Sequence, residues 1–390
     1  MISLCMIVKD EDKFLEKCLS GIKDLVDEII IVDTGSKDTT VEIAKKFTTK
    51  IFSIEWPNSF AKARNFSLQK ASGDWILILD ADELISEKDF KKIKEIVKED
   101  VDGYIILQRN YTNDTSYAGF IVNDNKYEES KNYLGYFHSP LVRLFKKGYV
   151  FEGKVHEAVE PSIERNNGKI VKTDIPIHHY GFIRKDKDKA QYLDLAKEKG
   201  TDLKGFFDVG MENMRNANYK EAVVAFRSAF QKDKDNARIA YNLAAAYLKD
   251  KNNEAAINHL ELFLRENNTT FSENKKWKVD IYCNLAVAYQ NTKQFDKALK
   301  RLKEGLDIDG NNINIVKNLG STYFMMGNYK EAMRHFSILL KVIPKDSSLH
   351  YNLGLCFAKI GNKELMVAAF KKAIEYNHPN SEELKKLFSP

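Results

Sequence analysis

The sequence predicts an α/β domain followed by an all-α repeat array, and two observations support this prediction. Up to about residue 182, short β-branched apolar runs alternate with amphipathic stretches, which predicts strands alternating with helices in a mostly parallel sheet. After residue 200 the strand-like runs end, and small and apolar residues recur with a period of 34 residues. We therefore expect an α/β domain over residues 1–183, a linker helix over 184–202, a repeat array over 203–380 and a capping helix over 381–390.

Four strands and three helices are predicted in the first part of the α/β domain. Strand and helix follow each other regularly there, which is typical of a parallel sheet with right-handed crossovers. A more irregular β-rich stretch follows, from Gly103 to about Phe182. The predicted strands are Ile2–Val8, Glu28–Asp33, Lys50–Ile54 and Trp75–Leu79, and the predicted helices are Phe14–Leu25, Thr40–Phe47 and Phe60–Ala71.

The composition of the 390 residues limits the classes of function. A chain with 43% hydrophobic and 30% charged residues is typical of globular domains and unlike disordered or collagen-like chains. The net charge of +5 is too small to indicate nucleic-acid binding. Ile2–Val8 follows no basic segment and precedes a charged run, so it does not resemble a signal peptide. No window is apolar enough to predict a transmembrane segment, and we expect a cytoplasmic protein with reduced cysteines.

Two of the predicted strands end in carboxylates. Asp33 ends one strand, and the run Asp80–Glu83 follows another. Ligands of open α/β sheets bind beyond the carboxyl ends of the strands, so both sets of acids are expected at one edge. Two carboxylates one residue apart suit Mg²⁺ or Mn²⁺, which also takes water and phosphate oxygens. No P-loop and no dinucleotide fingerprint occurs, so the pattern favours a nucleoside diphosphate held through a metal ion.

These segments resemble a family 2 glycosyltransferase with the GT-A fold, a Rossmann-like domain that binds a nucleotide-sugar. The matching segments are Cys5–Glu11, Val32–Ser36, Phe60–Asn65 and Asp80–Glu83, in the order that the family shows. The resemblance implies that Asp33 contacts uracil or ribose and that Arg64 lines the diphosphate-sugar site of a UDP-sugar donor. The implied nucleotide-sugar-binding residues are Met6, Val8, Lys9, Glu11, Asp33, Ser36, Arg64, Asp80 and Ala81.

The same resemblance implies a metal site. Asp80 and Asp82 match the DxD motif, in which Asp82 is the direct ligand of Mn²⁺ or Mg²⁺. The segment His178–Gly181 resembles the one whose histidine completes the metal site in many GT-A enzymes. The usual form has one histidine before Tyr-Gly, which favours His179, while His178 stays an alternative.

Two further motifs resemble a particular subgroup of the family. Arg143–Lys146 and Phe151–Glu157 are similar to segments of bacterial lipopolysaccharide-core glucosyltransferases and bacteriocin peptide glycosyltransferases, which often carry a carboxy-terminal tetratricopeptide (TPR) array. An inverting transfer needs a base for the acceptor proton and a cation for the leaving diphosphate. Glu157 is the expected base, with a salt-bridged loop glutamate as the alternative reading. Glu83 is the second catalytic candidate, expected to orient the donor sugar.

The repeat pattern after residue 200 resembles TPR repeats. Five anchor positions have spacings of 34, 42, 34 and 34 residues, so one repeat carries an eight-residue insertion around Asn268–Asn274. A small residue stands twelve positions before each anchor, where two helices must approach closely. The anchors are Ala222, Ala256, Ala298, Ala332 and Met366, and the small residues are Gly210, Ala244, Ala286, Gly320 and Gly354.

The array suggests a partner of the enzyme. Asparagines recur on the first helix of each repeat, and a ladder of amides could hold a peptide backbone in the groove. The leading hypothesis is therefore a bacterial glycosyltransferase that acts on a protein or peptide acceptor. Three alternatives stay open: a homodimer through the repeats, a lipopolysaccharide or capsule acceptor, and a scaffold with a relic transferase domain. The asparagines are Asn213, Asn242, Asn284, Asn318 and Asn352.

Overall fold

A computed structural model describes residues 1–115, 117, 119–153, 157–181, 203–267 and 275–388. The chain divides into two compact units, one formed by Met1–Thr112 with Asn123–Lys199 and the other by Asn113–Val122 with Gly200–Pro390. The predicted linker helix over 184–202 and the predicted insertion around 268–274 lie outside the described residues. Within the described residues, no helix is long and apolar enough to cross a bilayer.

The first unit contains a mixed sheet, in which the strands lie in the order β3-β2-β1-β4-β8-β6-β9-β5. Strands β1 to β4 run parallel to one another, whereas β8 runs antiparallel to both β4 and β6. The strands of this unit are β1 Ile2–Val8, β2 Glu28–Asp33, β3 Ile51–Ser53, β4 Trp75–Ile78, β5 Glu83–Leu84, β6 Gly103–Thr112, β8 Gly135–Lys146 and β9 Ile170–His179, whereas β7 Ile121–Val122 lies in a segment assigned to the second unit. The helices are α1 Leu15–Ile22, α2 Thr40–Ala44, α3 Phe60–Lys70, α4 Phe90–Ile96 and α5 Glu160–Arg165, with 3₁₀ turns at Glu87–Asp89 and Glu128–Ser130.

Helices pack on both faces of the sheet because its central strand, β1, carries apolar side chains on both faces. Its side chains alternate between the faces, so Leu4 and Met6 join one apolar cluster and Cys5 joins another. Helix α1 contributes Leu19 to the first cluster, and α3 contributes Leu68 to the second. A strand that is buried on both faces needs the continuous apolar run that the sequence shows.

The predicted strands and helices are close to the observed ones, and the helices differ mainly in length. β1 and β2 have the predicted bounds, whereas α2 ends at Ala44 and not at Phe47. The amides of Lys46 and Phe47 bond to carbonyls three residues back, at 3.1 and 3.0 Å, which closes the last turn in the tighter 3₁₀ manner. Periodicity therefore located the element but not its last turn.

The second unit is a helical array with one packing rule. A Cβ built on Gly210, Gly320 or Gly354 would lie 2.4–2.6 Å from the ring of a phenylalanine sixteen residues later. Ala244 and Ala286 take the same position, and leucine stands sixteen residues after each of them. The helices are α6 Leu203–Arg215, α7 Tyr219–Lys232, α8 Ala237–Lys249, α9 Asn253–Glu266, α10 Lys275–Asn291, α11 Phe295–Leu306, α12 Ile313–Met325, α13 Tyr329–Val342, α14 Ser347–Lys359, α15 Lys363–Glu375 and α16 Ser381–Phe388.

The predicted fold class is confirmed: an α/β domain precedes an all-α repeat array. Helix α16 follows the last repeat, and its Leu384 is buried in a small cluster with Phe370 and Ala373 of α15. An array needs such a terminal helix because the apolar face of its last repeat has no further neighbour.

Candidate active site

The loops after β1 and β2 lie side by side at the carboxyl edge of the sheet. The two strands are parallel and in register, and Val8 is paired with Asp33. The carboxylate of Asp33 accepts the amides of Gly35 and Ser36 at 3.2 Å, so the acid shapes its own turn. Gly35 has a φ of +102°, a conformation that suits glycine.

Hydrogen bonds hold these two loops together. The amide of Asp10 donates to Oγ of Ser36 at 3.0 Å, and the amide of Lys37 donates to Oδ1 of Asp10 at 2.7 Å. The amide of Glu11 donates to Oγ1 of Thr40 at 2.7 Å. The structure thus brings together the two predicted nucleotide-binding segments, which end β1 and β2.

The Asp80–Glu83 turn follows β4 at the same edge. Oε2 of Glu83 accepts the amide of Asp80 at 2.8 Å, and the amide of Glu83 donates to the carbonyl of Asp80 at 3.0 Å. The amide of Tyr180 donates to the carbonyl of Asp82 at 3.1 Å. The predicted DxD segment is therefore fixed by its own glutamate and by the segment that follows β9.

Two buried arginines link the carboxylates of the site. Arg64 donates from Nη2 to Oδ1 of Asp80 at 2.8 Å and from Nε to Oε1 of Glu157 at 2.7 Å. Arg143 donates from Nη2 to Oδ2 of Asp80 at 3.2 Å and to Oε1 of Glu83 at 3.1 Å. Burial disfavours the charged form of Arg64, but the attraction of Asp80 and Glu157 is the stronger effect and raises the pKa of the guanidinium. Asp80 is therefore held from both sides, one carboxylate oxygen by each arginine.

Glu83 lies inside the protein. Its exposed fraction is 0%, and the amide of Gln108 donates to its carboxylate in addition to Arg143 and the backbone of Asp80. Burial raises the pKa of Glu83 to about 7, against the attraction of Arg143. A carboxylate with these partners holds the Asp80–Asp82 turn. The expected role of Glu83 on the donor sugar stays a prediction.

The two adjacent histidines face opposite sides of β9. Nε2 of His179 lies 3.7 Å from Oδ1 of Asp82, and its Nδ1 lies 2.6 Å from Oδ1 of Asn110. His178 is fully buried and shares a 2.6 Å hydrogen bond with the hydroxyl of Tyr111. Burial lowers the pKa of His178 to about 3, so its ring is neutral. Of the two candidates, only His179 lies beside Asp82.

Gly181 allows the chain to pass close to this pair. A Cβ at that position would lie 2.4 Å from Nε2 of His179 and 3.1 Å from Oδ2 of Asp82. A side chain there would occupy the space beside both predicted metal ligands. This contact gives a physical reason for glycine in the His-Tyr-Gly segment.

A divalent cation fits the donor atoms, provided that other molecules complete its coordination. Among the residues that the structure describes, no group of three or more His, Cys, Asp and Glu side chains lies at metal-binding spacing. Asp82 and His179 supply one oxygen and one nitrogen donor, and Mn²⁺ and Mg²⁺ commonly take further oxygens from water and phosphate. Within the described part of the chain, Arg64 pairs with Asp80 and Glu157, and Arg143 pairs with Asp80 and Glu83.

Sequence reasoning missed two side chains that support the site. Gln108 and Asn110 bond Glu83 and His179, and neither belongs to a motif. They are polar residues two positions apart in β6, a strand that is otherwise largely apolar and buried. Polar residues repeating with the strand period point to one face of a sheet, and that pattern could have identified them. His156 lies outside the described residues.

Comparison with known families separates the two parts of the chain. Residues 3–152 match the family described as Glycosyl transferase family 2. Three overlapping stretches, 235–311, 277–356 and 347–378, match families described as Tetratricopeptide repeat. The first match contains the strand ends that carry Asp33 and Asp80, and the other three fall within the helical array.

Some individual proteins resemble nearly the whole chain, and others resemble only one part of it. A TPR repeat-containing protein of Synechococcus elongatus is 28% identical over 99% of this chain and 95% of its own length. The SPbeta prophage-derived glycosyltransferase SunS of Bacillus subtilis is 33% identical over 40% of this chain, which spans only 34% of that relative. The crystal structure of MamA protein is 19% identical, with a TM-score of 0.37, over 46% of this chain and 94% of MamA. The chain carries an amino-terminal glycosyltransferase family 2 domain followed by tetratricopeptide repeats.

Proposed function

We propose that this protein is a metal-dependent inverting glycosyltransferase that moves a sugar from a UDP-sugar to a protein or peptide acceptor. The observation that carries the proposal is the arrangement at the carboxyl edge of the sheet. Asp82 and His179 lie 3.7 Å apart there, beside an Asp80 that two arginines hold. We assign the transferase domain to residues 1–183 and the repeats to residues 203–380.

The proposed cation site consists of Asp82 and His179, with Asp80 beside them. A Mn²⁺ or Mg²⁺ ion bound there would neutralise the charge of the leaving diphosphate.

The proposed donor site extends from the Asp33 turn to Arg64. The turn of Asp33 and Ser36 lies against the end of β1 and the loop that follows it. The proposed nucleotide contacts there are Met6 and Val8 of β1 and Lys9 and Glu11 of the loop. Arg64 is buried, and its Nη1 atom has no hydrogen-bond partner within the described part of the chain. A buried guanidinium N–H that lacks a partner favours an anionic ligand, and a donor phosphate supplies the acceptor oxygen.

Glu157 is the proposed base. Its side chain is 13% exposed, and Arg64 fixes its Oε1, so the carboxylate has a defined direction. In that role Glu157 would take the proton of the acceptor's oxygen, sulfur or nitrogen nucleophile. That nucleophile forms the bond to the anomeric carbon of the sugar as the bond from this carbon to the diphosphate breaks and the nucleoside diphosphate leaves. Glu157→Gln should keep donor binding and lose most transfer. Near-normal transfer by this variant would show that Glu157 is not the base and serves only as an ion-pair partner of Arg64.

The repeats support an acceptor of protein or peptide class, because TPR arrays bind extended and helical segments along their grooves. Asn213, three positions after Gly210, is buried, whereas the other four asparagines, each two positions before the small residue of its repeat, are partly buried. Partly accessible amides can exchange hydrogen bonds with a peptide backbone. These four residues are Asn242, Asn284, Asn318 and Asn352.

The test uses the full-length protein and a panel of nucleotide-sugars. Thermal unfolding with and without Mn²⁺ identifies the donor, because a ligand that binds the native state raises the melting temperature with its concentration. We expect a UDP-sugar to stabilise the protein only with the cation, and EDTA to abolish its slow hydrolysis. No hydrolysis of any donor would favour the relic scaffold. Donor turnover that labels extracted saccharides but no protein would replace the proposed acceptor with a polysaccharide.

A further inference from the structure

Asn110 lies inside the sheet, directly behind the proposed cation site. It is fully buried on β6, where it pairs with Phe137 of β8 on one side and with His179 of β9 on the other. An amide in such a position must satisfy both of its ends with hydrogen bonds, because an unsatisfied buried polar group destabilises the folded protein.

The neighbours of Asn110 determine which way its amide points. Nδ2 lies 3.2 Å from the carbonyl oxygen of Phe137 and 3.0 Å from Oγ of Ser139. A carbonyl oxygen can only accept, so the NH₂ end of the amide must face β8. The oxygen of the amide consequently faces Nδ1 of His179, 2.6 Å away.

This orientation in turn determines the tautomer of His179. The amide oxygen of Asn110 can only accept a hydrogen bond, so Nδ1 of His179 must donate and therefore carries a proton. In a neutral imidazole the second nitrogen, Nε2, then presents a lone pair. That nitrogen is the one that lies 3.7 Å from the carboxylate of Asp82.

We propose that Asn110 is a positioning residue that keeps His179 in its Nδ1–H tautomer, with Nε2 directed to a divalent cation shared with Asp82. The inference rests on the proposed metal dependence and deepens it. Metal-binding histidines commonly donate their other ring N–H to a fixed acceptor, which sets the ring orientation and raises the basicity of the ligand nitrogen. Gly181 fits the same arrangement, because a Cβ there would stand 2.4 Å from Nε2.

The first measurement needs no variant. ¹⁵N–¹H correlation spectra of the metal-free full-length protein, labelled at histidine nitrogens, distinguish the two neutral tautomers at about pH 8. Loss of one signal set in a His179→Gln variant identifies the resonances of His179. We expect Nδ1 to carry the proton. An Nε2–H ring in a protein that binds Mn²⁺ would overturn this inference and leave the proposed function intact.

The second measurement is Mn²⁺ affinity by titration calorimetry and electron paramagnetic resonance. Asn110→Leu removes the acceptor for His179 at similar volume, and we expect Mn²⁺ to bind about 10–100-fold more weakly. Asn123→Leu is the matched control. The side-chain amide of Asn123 donates to two backbone carbonyls, those of Ser130 and Tyr133, and Asn123 belongs to no part of the proposed site.

The outcomes distinguish a failure of the role of Asn110 from a failure of the proposed metal dependence. Unchanged Mn²⁺ affinity in a folded Asn110→Leu protein would overturn the role of Asn110, as would an equal loss in the Asn123→Leu control. Failure of the unaltered protein to bind Mn²⁺ at all would overturn the metal dependence of the proposed function and the inference with it. If Asn110→Leu does not fold, the tautomer of His179 in the unaltered protein still tests the role of Asn110.

Discussion

The transferase domain and the repeat array bury different kinds of side chain. In the array, a small residue meets an aromatic ring sixteen positions later, as at Gly320 and Phe336. In the transferase domain, buried arginines join carboxylates that are far apart in the chain, with 93 positions between Arg64 and Glu157. The array is therefore specified by a short repeating pattern, whereas the site exists only where distant segments meet.

The largest expected effect concerns the proposed cation site. Asp82→Ala removes a proposed ligand of the cation, and we expect transfer in the presence of Mn²⁺ to fall by about 10³-fold, a loss comparable to that of other electrostatic groups that stabilise a transition state. Steady-state transfer from the identified donor measures it. The control is Asp100→Ala, which removes an exposed carboxylate of the same domain and should leave turnover unchanged. Full activity of Asp82→Ala without a divalent ion would contradict the assignment.

The second prediction tests whether the buried charges depend on each other. Arg143→Met leaves Asp80 and Glu83 without one of their guanidinium partners, and we expect a loss of about 3–5 kcal/mol in the free energy of unfolding. Urea denaturation measures this loss. Adding Glu83→Gln removes the buried carboxylate that has lost its guanidinium partner and should restore part of the stability. A double variant as unstable as the sum of its single variants would show that Arg143 and Glu83 act independently.

A matched control separates burial from charge. Arg165 pairs with Glu152 at the surface, where solvent screens the ion pair so that it contributes little to stability. We therefore expect Arg165→Met to change the unfolding free energy much less than Arg143→Met.

The third prediction concerns Glu28, an acid at the other end of the sheet. Burial opposes its charge, but hydrogen bonds from Lys50, Ser3 and Ser72 prevail and lower its pKa from 4.5 to about 2. Because its pKa is lower in the folded than in the unfolded state, the ionised carboxylate stabilises the protein above about pH 5. Glu28→Gln should lower the free energy of unfolding by about 2–3 kcal/mol at neutral pH, a value that allows for the exposure of Lys50.

The pH dependence provides the control for this prediction. The difference between Glu28→Gln and the unaltered protein should shrink as the pH falls from about 5 towards 2, where the native carboxylate also takes up a proton. Urea unfolding at several pH values measures this. A difference that stays constant down to pH 3 would show that shape, and not charge, determines the role of Glu28.

The smallest effect is expected in the array. Gly320→Ala places a Cβ 2.6 Å from the ring of Phe336, and we expect a loss of about 1–2 kcal/mol through overpacking. The compensating variant is Gly320→Ala with Phe336→Leu, which reproduces the alanine and leucine of the second and third repeats. This double variant should lose less free energy of unfolding than the sum of the losses of the two single variants. Additive losses would show that the two positions do not contact each other.

Much of the fold could be predicted because it depends on local pattern. The runs that became β1 and β2 were apolar enough to be buried on both faces, so their bounds were predicted correctly. The acids of the candidate site were also found, since Asp33 and the Asp80–Glu83 turn directly follow strands whose ends meet at one edge. The exposed or buried state of each acid was not predicted, and Glu83 proved to be fully buried.

The sequence by itself determined the order of the elements, the 34-residue repeat and the sheet edge at which acids collect, because each follows from residues close together in the chain. Only the tertiary structure decided which histidine lies beside Asp82 and which arginine holds each carboxylate. Adjacent residues of a strand face opposite sides, so one register of β9 on β6 directs His179 to Asn110 and His178 to Tyr111. That register forms between segments about seventy residues apart, and no local pattern reports it.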